Sequence, residues 1–136
     1  MTKNLLKIIH VDPGYSAAYR LLGEILIAKK DYQKAVDNLK TAIKLNKNDS
    51  ESLNLLGKVI QYSGNTDSAI EYYKEALDKD PEDMNALTNL ANVYFEKEDY
   101  EEAIRLYKEA LALNEEQPDV HYDLGTAFKN INDLEQ

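Results

Sequence analysis

The sequence predicts an all-α fold built from repeated helical hairpins, on three observations. Apolar residues recur at helical spacing in segments separated by short polar connections. The same pattern returns every 34 residues, as at Leu22, Leu56, Leu90 and Leu124. The three prolines and five glycines lie near segment joins or at one fixed position of the repeat. A chain of this kind buries its apolar residues between neighbouring repeats.

The clearest copy of the repeat is residues 84–117, whose two amphipathic segments predict one hairpin. Seven of its apolar positions are occupied by similar residues one and two periods earlier, which makes chance agreement improbable. These positions are Leu87, Leu90, Ala91, Tyr94, Ala103, Tyr107 and Ala110; then Leu53, Leu56, Gly57, Ile60, Ala69, Tyr73 and Ala76; then Tyr19, Leu22, Gly23, Leu26, Ala35, Leu39 and Ala42.

The elements follow in chain order from this period. Residues 1–15 predict the second helix of a truncated repeat, ended by Asp12-Pro13-Gly14 because proline cannot continue a helix. Repeat 1 covers 16–49, with helices from Ser16 to about residue 29 and from about residue 33 to 45. Repeat 2 covers 50–83, with helices over 50–63 and 67–79, a Gly64-Asn65 turn, and Thr66 as the expected N-cap.

Repeat 3 covers 84–117, and Asp99 is expected to cap its second helix. Residues 118–136 predict the first helix of another truncated repeat, ending near Asn130, with Leu134 opening a further helix. No linker or composition break divides the sequence, so we expect one domain over residues 1–136.

These residues resemble the tetratricopeptide repeat, whose unit reads W-x2-L-G-x2-Y, then A-x3-F, then P. The first block is matched by Leu22-Gly23, Leu56-Gly57, Leu90-Ala91 and Leu124-Gly125 with their flanking apolar residues, and the second by Ala35-x3-Leu39, Ala69-x3-Tyr73 and Ala103-x3-Tyr107. The resemblance implies a right-handed α-solenoid, a superhelix of antiparallel helical hairpins. We expect the small residues Gly23, Gly57, Ala91 and Gly125 to face Ala35, Ala69 and Ala103 across each hairpin.

Two closing prolines of the family pattern are missing. Pro13 and Pro81 occupy that position, whereas Lys47 and Glu115 replace it elsewhere, so those two helix ends are expected to be less sharply fixed and free to run on. The 136 residues equal four repeat lengths, but the sequence is cut inside second helices and shows no polar capping helix. We therefore expect a fragment of a longer array.

Composition limits the function. A net charge of -9 disfavours binding to a phosphate backbone, so no nucleic-acid partner is expected. The absence of cysteine excludes disulfides and thiolate chemistry, which fits a cytoplasmic location. The N-terminal apolar stretch is too short and interrupted for a signal peptide, and no apolar run approaches the roughly 20 residues of a membrane span, so no membrane insertion is expected.

Catalytic and metal-binding patterns are also absent from the sequence. His10 and His121 lie far apart in the repeat order, so they are not expected to share a metal. The run Asp78-x-Asp80-x-Glu82 lacks the glycine of a calcium loop, since Asp83 stands there. The acidic pairs at 101–102 and 115–116 fit a helix start and a junction better than an acid and base pair. We therefore expect no cofactor and no enzyme activity.

What remains is the concave groove that the resemblance implies, lined by the first helices of the hairpins and binding a peptide or helix of a partner protein. Ordinary solvated helix positions are the alternative for any single residue. The positions that map to this groove are Arg20, Glu24, Ile27, Asn54, Lys58, Gln61, Thr88, Asn89, Asn92, Phe95, Tyr122, Asp123, Thr126 and Lys129.

The sequence leaves the nature of the partner open. Some family members clamp an acidic chaperone C-terminus, but only Arg20 matches that set of residues, so such a clamp is not expected. The partner's charge is undecided because the groove positions mix acidic and basic residues. The alternatives to a peptide-binding scaffold are head-to-tail self-assembly through the unfinished ends, and an accessory array of a larger enzyme.

Overall fold

The computed structural model describes residues 2–12 and 14–135, and every regular element in that part of the chain is an α-helix. Met1, Pro13 and Gln136, to which the sequence assigns a helix start, a junction and the start of a further helix, lie outside the described residues. The helices are α1 (Thr2–Val11), α2 (Ser16–Ala28), α3 (Tyr32–Leu45), α4 (Ser50–Tyr62), α5 (Thr66–Lys79), α6 (Met84–Glu96), α7 (Tyr100–Leu113) and α8 (Pro118–Glu135).

The chain forms two compact units. In the first, Met1–Lys79, α2 packs against α3 and α4 against α5, while α3 packs on α4 and α1 on α2. The first helices α2 and α4 also touch directly. In the second unit, Asp80–Gln136, α6 packs against α7 and α7 against α8. Each unit is therefore built from helices that pack against their neighbours in the chain, as short connections require.

Each unit has its own apolar core. In the first unit, Leu39, Leu56 and Val59 are at most 1% exposed and lie in one cluster, against which Leu26 and Leu55 pack. In the second unit the buried residues include Leu87, Leu90, Val93, Leu106 and Tyr107. Leu26, Leu39, Leu56, Leu87, Leu90 and Tyr107 hold positions that the 34-residue period marks, whereas Leu55, Val59, Val93 and Leu106 lie beside those positions.

The turn inside each full hairpin is the same left-handed cap. Lys30, Gly64 and Glu98 have φ angles of 62°, 90° and 64°, one period apart. In each case the amide of the following residue bonds to a carbonyl five residues back, as from Asp31 to Leu26 at 2.9 Å. This is a Schellman motif, which reverses the chain between the two helices.

Acidic or amide side chains cap most of the helix starts. Asp31, Asp49, Asp83 and Asp99 each accept a hydrogen bond from the amide three residues later, and the predicted Asp99 cap is thus confirmed. The prediction for α5 is wrong, because Thr66 is its first helical residue and the cap is Asn65, whose Oδ1 accepts from Ser68 N at 3.4 Å.

The same Asx turn follows each of the second helices, with or without a proline. Asp12, Asn46, Asp80 and Asn114 lie one period apart, and the side-chain oxygen of each accepts a hydrogen bond from the amide two residues later, at 3.0 to 3.2 Å. Helices α3 and α7 end at Leu45 and Leu113, so the expectation that they run on past Lys47 and Glu115 is wrong. The Asx turn is therefore present also at the two ends that lack proline.

The nearest neighbours of two helix-packing glycines are large residues of the following helix. A Cβ atom on Gly23 would stand 2.7 Å from Leu39 Cγ and Cδ2, and one on Gly57 would stand 2.8 Å from Tyr73 Cε1. The expected contact with Ala35 and Ala69 stays a prediction. The missing side chain makes room for the residue at the end of the A-x3-F block, which allows the close approach of the two helices.

Helix α8 does not end near Asn130, and Leu134 does not open a new helix. The helix continues unbroken to Glu135. Asn132 is in phase with the three left-handed turn residues, and Asp133 with the capping residues of the hairpins. In the described residues the local helical hydrogen bonds prevail over this turn signal.

Candidate functional site

The first helices of the first unit carry six of the predicted groove residues, and Arg20 links two of these helices. Its Nη1 lies 3.3 Å from Asp49 Oδ2 and its Nε lies 3.5 Å from Glu51 Oε2. The Asp49 side chain is only 4% exposed, and it also caps α4 through Ser52 N at 3.0 Å and accepts from Ser52 Oγ at 2.6 Å. Arg20 therefore compensates a buried carboxylate at the start of α4.

Glu24 lies in the same charged cluster. Burial raises the pKa of Glu24, and the negative charge of Glu51 raises it further, whereas Arg20 lowers it. The three carboxylates around Arg20 outnumber its single charge, so this part of the first unit is acidic. It would favour a cationic group on a partner.

The other predicted residues of this unit lie at different depths. Asn54 is 6% exposed and Ile27 packs against the core cluster, so both are held inside the unit. Lys58 is half-buried. Gln61 Oε1 accepts a 2.7 Å hydrogen bond from the buried Tyr73 hydroxyl. Of the six residues, Glu24 and Lys58 best combine a charge with partial exposure.

In the second unit, two predicted residues of α6 support α7. Asn92 Oδ1 accepts a short hydrogen bond from the hydroxyl of the buried Tyr107. The Phe95 ring meets the Tyr100 ring edge to face, with centroids 5.3 Å apart. Burial raises the pKa of Tyr107, and the charges of Asp123 and Glu96 raise it further. Tyr107 of α7 therefore lies close to polar residues of two other helices, Asn92 of α6 and Asp123 of α8.

A polar pocket of about 260 Å³ opens at the start of α6 and α8. Two predicted residues, Thr88 and Asn89, line it. The remaining lining residues are Asn85 from α6, Gln117 from the connection that leads into α8, and Pro118, Asp119 and Val120 from α8 itself. Amide, hydroxyl and carboxylate groups thus converge on a concave surface, as they do where a protein holds a peptide backbone.

The predicted residues of α8 extend from this pocket along the helix. Tyr122 is 75% exposed, and the Thr126 hydroxyl donates to the Tyr122 carbonyl at 3.0 Å. Burial raises the pKa of Asp123, and the neighbouring Asp119 raises it further. Lys129 is exposed. The side of α8 that adjoins the pocket is therefore acidic, with an exposed aromatic ring beside it.

Sequence reasoning missed several residues of these surfaces. Asp49 and Ser52 form a buried capping pair with the three-residue spacing of an N-cap. Arg20 bonds to Asp49 across 29 residues of sequence, and no local pattern indicates such a contact. Asn85 and Asp119 are not among the predicted groove residues, yet both line the pocket. They stand at helix starts, where polar residues are usually interpreted as caps.

No metal centre and no membrane span is found in the described part of the chain. Within residues 2–12 and 14–135, no three histidine or acidic side chains are grouped so that they could hold a metal ion. Over the same residues, none of the helices has the length and apolar character needed to cross a bilayer.

Comparison with known proteins identifies the fold and the family. The model of the cytochrome c-type biogenesis protein H TPR domain matches residues 5–120. Comparison with curated proteins gives no match.

Solved structures similar to the chain include two of MamA, both 18% identical over 96% of this chain. They have TM-scores of 0.82 and 0.83 and are covered over 72% and 77% of their own lengths. Another is the Sgt2 TPR domain from Aspergillus fumigatus, 22% identical over 88% of this chain and 81% of that one, with a TM-score of 0.82.

These likenesses confirm the all-α solenoid fold of the tetratricopeptide type. Tetratricopeptide domains are in general non-catalytic scaffolds for protein–protein interaction. Three observations agree with this assignment. The described chain has eight helices, its left-handed caps lie one period apart, and the family model matches most of the sequence. The chain belongs to the tetratricopeptide-repeat family.

Proposed function

We propose that this protein is a non-catalytic scaffold that binds an extended peptide or a helix of a partner protein, and that one binding surface lies in the second unit. The pocket of about 260 Å³ between the starts of α6 and α8 carries the proposal. It is concave and lined mainly by side chains that can donate to or accept from a peptide backbone. The exposed Tyr122 follows the lining residue Asp119 by about one turn of α8. Aromatic rings of this kind commonly anchor a bound peptide.

The charge of the pocket supports a basic rather than an acidic partner segment. Asp119 lies in the pocket, and Asp123 follows it one turn later on α8. Burial raises the pKa of Asp123, and the negative charge of Asp119 raises it further. A lysine or arginine side chain between them would relieve this repulsion. The cluster of Glu24, Asp49 and Glu51 around Arg20 gives the first unit the same sign.

Two probe peptides of equal length test the proposal by NMR. One carries lysine at alternate positions and the other glutamate, with the same neutral residues between. The lysine peptide is expected to shift the amide signals of Asn85, Thr88 and Asp119, and the glutamate peptide to leave them in place. The Asp119→Asn substitution should weaken binding of the lysine peptide. The matched control is Asp78→Asn on the exposed side of α5, which should leave binding unchanged. Equal shifts from both peptides, or none from either, would contradict the proposal.

Self-association is a second candidate, because α8 has an open face. A Cβ atom on Gly125 would meet nothing within 4 Å, although Gly23 and Gly57 at the same repeat position each meet a residue of the next helix. We propose that another copy of the chain covers this face. A strictly monomeric sedimentation profile up to millimolar protein would count against it.

The remaining predictions from the sequence stay proposals. A cytoplasmic location rests on the absence of cysteine, and the exclusion of nucleic acid on the net charge of -9. An association of this array with a catalytic domain in a larger enzyme rests on no observation of these residues.

A further inference from the structure

The polar pocket of the second unit has a counterpart in the first unit, where an arginine is bound. Three residues of the first unit hold the same repeat positions as three lining residues of the pocket, two 34-residue periods later. Arg20 corresponds to Thr88, Asp49 to Gln117 and Glu51 to Asp119. The first unit therefore shows which chemical group these positions accommodate.

In the first unit the three positions hold a guanidinium group between two first helices. Arg20 Nη1 donates to Asp49 Oδ1 at 3.4 Å and to Oδ2 at 3.3 Å, and Arg20 Nε lies 3.5 Å from Glu51 Oε2. The Arg20 side chain is only 26% exposed. A carboxylate at the cap position of α4 and another two residues later thus bind one guanidinium together.

In the second unit the position of the arginine is held by a short, uncharged residue. Thr88 replaces Arg20, and the space beside it is the pocket of about 260 Å³. This volume is several times the roughly 30 Å³ that one water molecule occupies in the liquid, so a guanidinium group can enter. The pocket is therefore open where the first unit is closed by its own side chain.

The pocket retains hydrogen-bond acceptors at both positions that bind Arg20 in the first unit. Asp119 supplies a carboxylate at the position of Glu51. Gln117 Nε2 donates to the carbonyls of Ala110 at 2.9 Å and Asn114 at 2.7 Å. These bonds use both hydrogens of the amide nitrogen, so the group that Gln117 can offer a ligand is its amide oxygen. A carboxylate and an amide oxygen are thus available to a guanidinium.

We propose that the pocket binds an arginine side chain of the partner, with the guanidinium paired to Asp119 and to the amide oxygen of Gln117, as Arg20 is paired inside the first unit. A planar guanidinium can donate to two separate acceptors at once, whereas a lysine ammonium is a compact, more strongly hydrated charge. The inference names the side chain that the proposed function leaves open between lysine and arginine, and it rests on that function.

Three peptides of equal length test the choice of side chain on the wild-type protein. They share neutral flanking residues and carry arginine, lysine or citrulline at one central position, citrulline having the shape of arginine without its charge. In NMR titrations followed at Asn85, Thr88 and Asp119, the arginine peptide is expected to bind roughly tenfold more tightly than the other two. Equal binding of the lysine or citrulline peptide would overturn the inference and leave peptide binding intact. No binding of any peptide would overturn the proposed function as well.

The Thr88→Arg substitution tests the place of binding, because it fills the pocket from within the chain as Arg20 does in the first unit. This variant is expected to bind the arginine peptide at least roughly tenfold more weakly than the wild type. Gln33→Arg, which adds the same charge at an exposed position of α3, is the matched control and should leave binding unchanged. Circular dichroism establishes that both variants are folded. Undiminished binding by the Thr88→Arg protein would place the arginine elsewhere and overturn the inference.

A double-mutant cycle tests the acceptor without any peptide. The effect of Thr88→Arg on the midpoint of urea denaturation is measured in the wild-type chain and in the Asp119→Asn chain. Because the introduced guanidinium should pair with Asp119, the midpoint is expected to be more favourable when that carboxylate is present. The uncharged substitution Thr88→Met should have the same effect in both chains. If Thr88→Arg also had the same effect in both, Asp119 would not be the acceptor and the inference would be overturned.

Discussion

Replacing Gly57 with alanine should destabilise the protein even though alanine is the better helix former. The new Cβ atom would stand 2.8 and 2.9 Å from the Tyr73 ring atoms Cε1 and Cδ1, closer than real Cβ atoms come to their neighbours. The ring cannot easily turn away, because it is fully buried and its hydroxyl is hydrogen-bonded to Gln61. The helices must therefore move apart.

The size of the effect follows from two opposing contributions. Alanine in a helix interior is favoured over glycine by about 0.5 to 1 kcal/mol. Overpacking a rigid contact costs about 1 to 3 kcal/mol. For Gly57→Ala we expect a net loss of about 1 kcal/mol, or a fall of roughly 4 °C in Tm. Gly23→Ala should cost less, since the Leu39 side chain it meets at 2.7 Å is more flexible than a ring.

Gly125→Ala provides the control in the same helix position, because nothing lies within 4 Å of its Cβ site. It should gain up to about 1 kcal/mol from helix propensity alone. Urea denaturation followed by circular dichroism, at a protein concentration low enough to exclude association, gives all three values. A Gly57→Ala protein as stable as the wild type would refute the packing argument, and so would a failure of Tyr73→Leu to relieve the loss in the double variant.

Three further perturbations have defined outcomes. Tyr107→Phe removes the hydroxyl that donates a hydrogen bond to Asn92, and it should lower the free energy of unfolding by about 1 kcal/mol, as measured by urea denaturation. Tyr122→Phe on the surface should leave that free energy unchanged. Arg20→Met should cost roughly 1 to 3 kcal/mol, because it leaves the buried carboxylate at the α4 cap without its cation. Asp123→Asn should raise stability at neutral pH and leave it unchanged in acid, as urea denaturation across pH will show.

The sign of the Asp123 effect follows from its raised pKa. The folded protein holds the proton more tightly than the unfolded chain does, so this residue contributes stability that is present below the ordinary pKa of aspartate and is lost as pH rises through the folded pKa. A gain in stability from Asp123→Asn that persisted in acid would contradict this reasoning.

The control for Arg20→Met is Lys34→Met, which breaks an exposed ion pair with Asp31. If Arg20→Met lost no more stability than this control, the buried carboxylate would be shown to tolerate the loss of its cation.

The fold could be predicted because its determinants are periodic. The apolar stripes fix each hairpin, and the observed helix ends lie within a residue or two of the predicted ones as far as Lys79. The N-cap of α5 was predicted wrongly because two neighbouring residues suit the same role. Asn65 and Thr66 both favour an N-cap, and the geometry of the turn selects Asn65. The predicted end of α8 near Asn130 was wrong because a turn signal at Asn132 did not outweigh the local helical hydrogen bonds.

The candidate site was less accessible to sequence reasoning. The repeat pattern places a residue on a first helix, but it does not say whether that residue is already engaged. Arg20, Gln61 and Asn92 were all predicted as groove residues, and each is bound to a group of the protein itself. Such pairings join residues 12 to 29 positions apart and depend on helix packing that local spacing does not encode.

The tyrosine hydroxyls show that hairpins of one pattern differ in how their two helices are joined. Tyr73 and Tyr107 hold the same repeat position, but Tyr73 donates to Gln61, whereas Tyr107 donates to Asn92, almost one helical turn earlier within its repeat. A chimaera joining α4 to α7 would bring Lys58 to the place of that asparagine, and a lysine cannot accept the bond. It would also bring Gln61, so the Tyr107 hydroxyl of the chimaera should change its acceptor from an asparagine to a glutamine, as Tyr73 has it in its own hairpin.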